Sequence, residues 1–405
     1  MKYLPFISLF LSAHALFAVT PHAYVTNQMG NSVNVIDTSN DTVQTIYGFT
    51  NPRVVQLTPD GALAFVGSDD NTVRIIDTAT HTVLPTVISV VHPVALAMPV
   101  HPEFLYVLSS DNTVSVIRLS DYTLARLISG FDNPQDLQIS PDQSRIYVTN
   151  SGNGTVSVIS TETHMIVHTI TGFKSPVGLT FTIDGKFAYV TDKNNNALYV
   201  VSVSKNMITD VILGFNFPSY SAITPDKTYL FVSNSGNNTV NIVRVQDNFV
   251  LSEPISIPQP NSIAVTEDGA FLYVGSALGT VFKISLSDHS IKAAITGFDN
   301  PSNISVTSNN APANKVNGCQ VAVNPTNIYN QVTWSSGPGT PVGYKIYEDI
   351  SLTHLVASVS ADTRMYKDTH LEKGQSYSYY VLAEYDNGFS STIGSVTVSP
   401  NRLCP

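Results

Sequence analysis

Charge is scarce in this 405-residue chain, where Asp, Glu, Lys and Arg together make up 12% of residues. No run of Lys and Arg occurs beyond the N-terminus, and the formal net charge is −10. Nucleic-acid binders draw most of their affinity from neutralising phosphates, which argues against DNA or RNA as a partner. Cysteine is nearly absent, with only Cys319 and Cys404, and neither has a neighbouring histidine with which to hold a metal. There is no haem-attachment motif, no Gly-x-Ser-x-Gly elbow, no phosphate loop and no dinucleotide fingerprint. Those absences remove the common covalent, nucleotide and cofactor chemistries, and no cofactor is expected. After the N-terminus no apolar stretch reaches the roughly 20 residues that a bilayer requires.

Residues 1–18 have the layout of a secretory signal. Lys2 is followed by an apolar stretch from Leu4 to Leu11, then small residues at Ala13, Ala15 and Ala18. The sequence therefore predicts an exported protein: periplasmic, cell-surface or secreted. An even cysteine count in an exported chain suggests a Cys319–Cys404 disulfide. Closing that loop would contribute roughly 4.5 kcal/mol in the chain-entropy model.

What the chain has in abundance is repetition. The aromatics Tyr24, Phe65, Tyr106, Tyr147, Tyr189, Phe231 and Tyr273 are spaced by 41, 41, 41, 42, 42 and 42 residues. Each is followed by a polar turn and a second apolar strand. A period of this size marks one supersecondary unit, copied and stacked. The fourth unit divides into strands at Gln135 to Ser140, Ile146 to Thr149, Thr155 to Ile159 and Met165 to Ile170, separated by Pro-Asp and Asn-Gly turns. Four short strands per unit, repeated radially, predict an all-β fold: a seven-bladed β-propeller over residues 19–307. The first unit begins at Tyr24 without its first strand. Asn303 to Thr307 matches the missing one, so the C-terminal strand is expected to close blade 1 and leave no open edge.

Residues 308–318 are small, polar and aperiodic, and read as a linker. From Cys319 to Pro405 the pattern changes. Val332-Thr333-Trp334, Tyr344-Lys345-Ile346-Tyr347 and the run Leu371-Glu372-Lys373-Gly374-Gln375-Ser376-Tyr377 resemble a fibronectin type III domain, an immunoglobulin-like β-sandwich. The resemblance implies a core position for Trp334 and a tyrosine corner at Tyr377, whose hydroxyl bonds back to the chain. The repeats themselves resemble the YVTN-type β-propellers, through Tyr24-Val25-Thr26-Asn27, Tyr147-Val148-Thr149-Asn150, Tyr189-Val190-Thr191-Asp192 and Phe231-Val232-Ser233-Asn234. The Thr58-Pro59-Asp60, Ser140-Pro141-Asp142 and Thr224-Pro225-Asp226 turns fit too, whereas the WD dipeptide is absent. That resemblance implies an exported prokaryotic binding module, with relatives among lactonases and redox-enzyme subunits.

Chemistry in such a ring would sit at the inner strands. Their second positions are Val54, Ala95, Asp136, Gly178, Tyr220, Ser262 and Asn303, and their fourth are Gln56, Ala97, Gln138, Thr180, Ala222, Ala264 and Ser305. Asp136 is the only charge among them. Arg53, Asp136 and Tyr220 form the expected polar recognition spot. No metal set and no catalytic constellation is expected. His81, His164 and His289 fall at one repeated outer-turn position on different blades and are expected to be solvated turn residues. The recurrent Gly-Phe pairs at Phe49, Phe131, Phe173, Phe215 and Phe298 are expected to be packing residues. These features predict an exported binding protein that engages a protein or glycan through one face of the disc. The alternative is a lactonase-like or other hydrolase working in the central channel.

Overall fold

The computed structural model describes residues 21–307, except 60 and 100–102, and the strand regions lying between 317 and 398. From His22 to Val306 the described chain folds into seven antiparallel sheets. Sheet 1 combines 22–47 with 301–306. Sheets 2 to 7 follow at 52–89, 93–129, 134–171, 176–213, 218–256 and 260–296. Each has four strands in simple up-and-down order, except sheet 6. There the outer strand is split into Phe249–Val250 and Ile255–Ser256. The expected strand bounds in the fourth unit hold to within one residue: Pro134–Ile139, Arg145–Asn150, Thr155–Ser160 and Met165–Thr171.

The first strands of successive sheets touch in a closed circuit, the last (Pro260–Val265) meeting Pro301–Val306, which in turn meets Pro52–Leu57. Pro301–Val306 pairs antiparallel with His22–Asn27, so the expected closing strand is in place. The amide of Thr307 and the carbonyl of His22 add a further bond at 2.8 Å. Repeated four-strand sheets, with no helix among the described residues, are the architecture of a propeller.

The repeated aromatic explains how sheets stack. All seven, from Tyr24 to Tyr273, are at most 2% exposed. Tyr24, Tyr106, Tyr147, Tyr189 and Phe231 each meet the outer-hairpin residue of the next sheet. The seven outer-hairpin residues (Asp41, His81, Tyr122, His164, Asn206, Asn248 and His289) all have φ between 48° and 61°. Asn, Asp and His are among the residues that tolerate this left-handed region best. Tyr147 donates to Asn206 Oδ1 at 2.7 Å and Tyr189 to Asn248 Oδ1 at 2.9 Å. The Tyr106 hydroxyl lies 3.0 Å from His164 Nδ1, and Phe231 packs edge-on against His289. The histidines are therefore half-buried sheet-to-sheet contacts, not merely solvated turns. Burial holds the His81 and His164 imidazoles below their ordinary pKa.

The Gly-Phe pairs are packing residues, as expected. Phe49, Phe131, Phe215 and Phe298 are buried, and their glycines hold φ between 98° and 112°, a region open only to glycine at low cost. The Pro-Asp turns work as the sequence suggests. The Ser140 and Thr224 hydroxyls bond to Asp142 and Asp226, and the residue that follows the Asp is left-handed, as at Gln143 and Lys227.

One seam breaks the repeat. Opposite the aromatic, six sheets carry Val35, Ile75, Val116, Val158, Val200 and Ile242, but sheet 7 carries Lys283. Its side chain is 7% exposed. Its ammonium reaches across to sheet 1, 2.7 Å from Asp41 Oδ1 and 2.8 Å from the Thr38 carbonyl, and it lies over the Phe271 ring.

Beyond the ring, described strands form a three-stranded sheet (317–324, 327–333, 365–368) and a four-stranded one (355–360, 343–347, 377–384, 394–398). Trp334 and Val332 pack with Tyr344, Ile346, Tyr379 and Val381 in one core drawn from both. Tyr379 donates to buried Asp368 and accepts from buried Asn330 at 2.8 Å, tying the two sheets together. The sequence had pointed to Tyr377 for such a bond; among the described residues Tyr379 provides this one. Residues 1–18, most of the expected linker, and the expected Cys319–Cys404 pair lie outside the described residues and side chains.

Candidate functional site

The closed circuit of first strands surrounds a cavity of ≈ 420 Å³ to which all seven sheets contribute. Of the fourteen expected channel positions, all but Gly178, Ala97 and Ala264 line it. Gly178 is a packing requirement: a Cβ there would come 2.4 Å from the Ser219 carbonyl oxygen of the next sheet. Strand spacing at the axis is set by the third residue of the Tyr-Val-Thr-Asn phrase. Thr191 Oγ1 accepts from the Gly178 amide at 2.8 Å and donates to Ser219 O at 2.6 Å. Thr149 does the same between Asp136 N and Val177 O, at 3.0 and 2.7 Å. The fourth residue anchors the loop before the inner strand. Asp192 accepts from the amides of Lys174, Ser175 and Asn195, and Asn27 from that of Asp299. The phrase that reveals the fold is thus a set of clamps for otherwise unpaired backbone groups.

Arg53, Asp136 and Tyr220 all line this cavity, so the structure brings the three expected residues together. Their states differ. Arg53 forms an ion pair with Asp69 of its own sheet. Asp136 is buried, and its carboxylate accepts three hydrogen bonds: Leu137 N at 2.8 Å, Gln138 Nε2 at 3.2 Å and, from the next sheet, Leu179 N at 2.9 Å. Burial raises its pKa, and those bonds oppose the rise. The amide Asn303 has the same task on sheet 1, taking Val55 N of sheet 2 at 3.1 Å. Burial, reinforced by the nearby Asp136, pushes the Tyr220 phenol up to about 12.

Tyr220 also belongs to a second cavity of ≈ 580 Å³ that forms the mouth over sheets 1 and 4 to 7. Its wall is mostly amides and hydroxyls, among them Gln28, Asn133, Gln135, Asn261 and Ser302, and among the described residues Lys193 is its one charged side chain. Sequence alternation missed Gln135, Asn261 and Ser302 because pairing slips at the start of the inner strands, as between Pro134 and Asp136 and between Pro260 and Ser262. Such a bulge re-aims side chains against the period of two. The signal that finds them is position: they stand immediately after the repeated proline, whereas Gln28 and Lys193 stand immediately after the Tyr-Val-Thr-Asn phrase. Among the described residues no group of three or more His, Cys, Asp or Glu could hold a metal ion.

The YNCE-like beta-propeller family model matches residues 82–217, and the WD domain, G-beta repeat model matches residues 40–77. The repeats are propeller repeats. The second match stands although the only tryptophan, Trp334, lies far outside it. No curated protein matches the sequence. Among solved structures, the chain is similar to Kuenenia stuttgartiensis hydrazine synthase at 19% identity, with a TM-score of 0.59, covering 65% of this chain and 97% of that one. It is also similar to a functionally unknown protein from Desulfotomaculum acetoxidans DSM 771, at 15% identity and a TM-score of 0.61, covering 71% and 99%. At these identities the likeness shows the fold alone.

Proposed function

We propose that this is an exported binding protein whose seven sheets are the blades of one closed β-propeller of the YVTN type. In this reading residues 319–405 form a fibronectin type III-like sandwich that acts as spacer or second contact. The mouth face engages a protein or glycan of the envelope or beyond. The observation that carries it is the contrast between two neighbouring cavities. Asp136, the only carboxylate among the described residues that line the channel, is spent on three donors, two of them backbone amides, so it serves as a positioning residue for the blade 4–5 junction and not as a free base. The mouth above it is wide and lined by neutral hydrogen-bonding groups with Tyr220 at its floor, which suits recognition. Arg53, which lines the channel with Tyr220, is held by Asp69.

The test is crosslinking capture from the native envelope with the full chain and with Tyr220→Ala. The reading expects partners that the wild type retains and the variant loses. Identical capture by both would remove the mouth as the binding face.

A further inference from the structure

The net charge of −10 makes a basin free of carboxylates unusual. Among the described residues no Asp or Glu lines the mouth cavity, although Asp132 and Asp299 occupy loop positions that match Lys174 of sheet 5. Sheet 5 inverts the local charge. The ring position just after the Tyr-Val-Thr-Asn phrase holds Gln28, Asp69, Ser110, Ser151, Lys193, Ser235 and Ala277. Asp69 is neutralised by Arg53, whereas Lys193 has no ion-pair partner among the described residues. Beside it, the Lys174 ammonium donates to the carbonyl of Asn194, a residue of the same wall, at 3.4 Å and is likewise without an ion pair among the described residues. The one acid within this loop, Asp192, is consumed by three backbone amides. Two exposed cations without ion pairs, against one buried carboxylate, therefore stand beside Asn194 and leave this edge of a neutral polar bowl net positive.

We infer that the mouth is a binding site for an acidic saccharide of the uronate class. Its carboxylate would sit at the Lys193–Lys174 edge, and its hydroxyls would sit among the amides of Gln28, Gln135 and Asn261. Each sugar hydroxyl both donates and accepts, and side-chain amides do the same. Tyr220 supplies a ring face for the C–H side of the sugar. A peptide would want apolar pockets for alternate side chains, whereas the apolar surface of this wall comes from Val177, Pro260 and the Tyr220 ring, set among amides and hydroxyls. This rests on the reading of the mouth as the binding face.

The experiment titrates the full chain, by calorimetry at low and high salt, with tetrasaccharides of galacturonate, guluronate and mannuronate and with their methyl esters. Exposed lysines favour at least one acid over its ester by about fivefold at low salt, a preference that fades as screening increases. Lys174→Gln/Lys193→Gln should bring acid affinity down to that of the ester and remove its salt dependence, with thermal stability unchanged. Tyr220→Ala should weaken acid and ester alike. Equal affinity of acid and ester for the wild type would overturn the charge recognition. If no saccharide binds while Tyr220-dependent capture of protein partners persists, the saccharide class is wrong and the mouth remains the binding face. If Tyr220-dependent capture fails as well, both readings fall.

Discussion

The Lys283–Asp41 pair is the sharpest test of how this ring closes. Reverting the seam to the repeat with Lys283→Ile restores the aliphatic that the other six sheets carry. A buried ion pair replaced by apolar packing is often neutral or stabilising, and the loss of the cation over Phe271 is worth about 1 kcal/mol, so the net change should fall within about 1 kcal/mol. Asp41→Asn is the informative opposite. Asparagine accepts the left-handed backbone at φ 61°, so the fold is not strained and only the charge is removed. That strands an ammonium that is 7% exposed. Removing one partner of a buried pair costs about 3–5 kcal/mol; with Asp41 itself 32% exposed and an amide oxygen still present, we expect about 2 kcal/mol. The double variant should recover most of it. Urea unfolding followed by far-ultraviolet circular dichroism reads the ring, since Trp334 fluorescence reports the core formed by the strands beyond it. Hydrogen exchange in His22–Asn27 and Pro301–Val306 should accelerate in Asp41→Asn alone. The reasoning fails if Asp41→Asn costs under about 0.5 kcal/mol, or if Lys283→Ile costs as much as Asp41→Asn.

Thr191→Val removes a hydroxyl that serves a buried amide and a carbonyl in adjacent sheets, and should cost about 1–3 kcal/mol in the same urea assay. The raised pKa of buried Asp136 means that the native state keeps a proton which the unfolded chain has already lost above about pH 4. Stability should therefore fall as pH rises from there, and Asp136→Asn, doing what Asn303 does, should flatten that slope in pH-dependent melts. His164, held below its ordinary pKa by burial, has the opposite sign. Acidification below about pH 6.5 protonates the unfolded chain first and lowers stability, a dependence that His164→Asn should reduce while the Tyr106 contact is kept as Tyr147 keeps Asn206.

The period of 41 or 42 residues made the sheets legible because each aromatic sits at a point fixed by packing against the next copy. The same logic exposed the left-handed outer turns and the Gly-Phe pairs. It failed where a residue's partner lies on another sheet. Asp136 looked like the lone charge of a recognition spot, and nothing local shows that Leu179 would donate to it. Lys283 stands where six other units carry Val or Ile, but its partner Asp41 lies 242 positions away and is found only once the ring is closed. The mouth was hidden for a different reason, since a bulge after each proline defeats strict alternation. The split outer strand of sheet 6 has no comparable sequence signal, apart from Pro254 between its halves.

The clasp between Pro301–Val306 and His22–Asn27 also has a mechanical side. His22 and Thr307 are bonded to each other, so the two ends of the ring leave at one point. The segment that follows Thr307 is attached to the strand nearest the axis. Tension between the ends would load this antiparallel pair from its open end, breaking bonds one after another as in a zipper. Tension between the C-terminal segment and the body of the disc would instead pull the strand lengthwise against all of its bonds together. A tethered form of this protein would yield readily to the first load and resist the second, with release of a single six-residue strand as the first event.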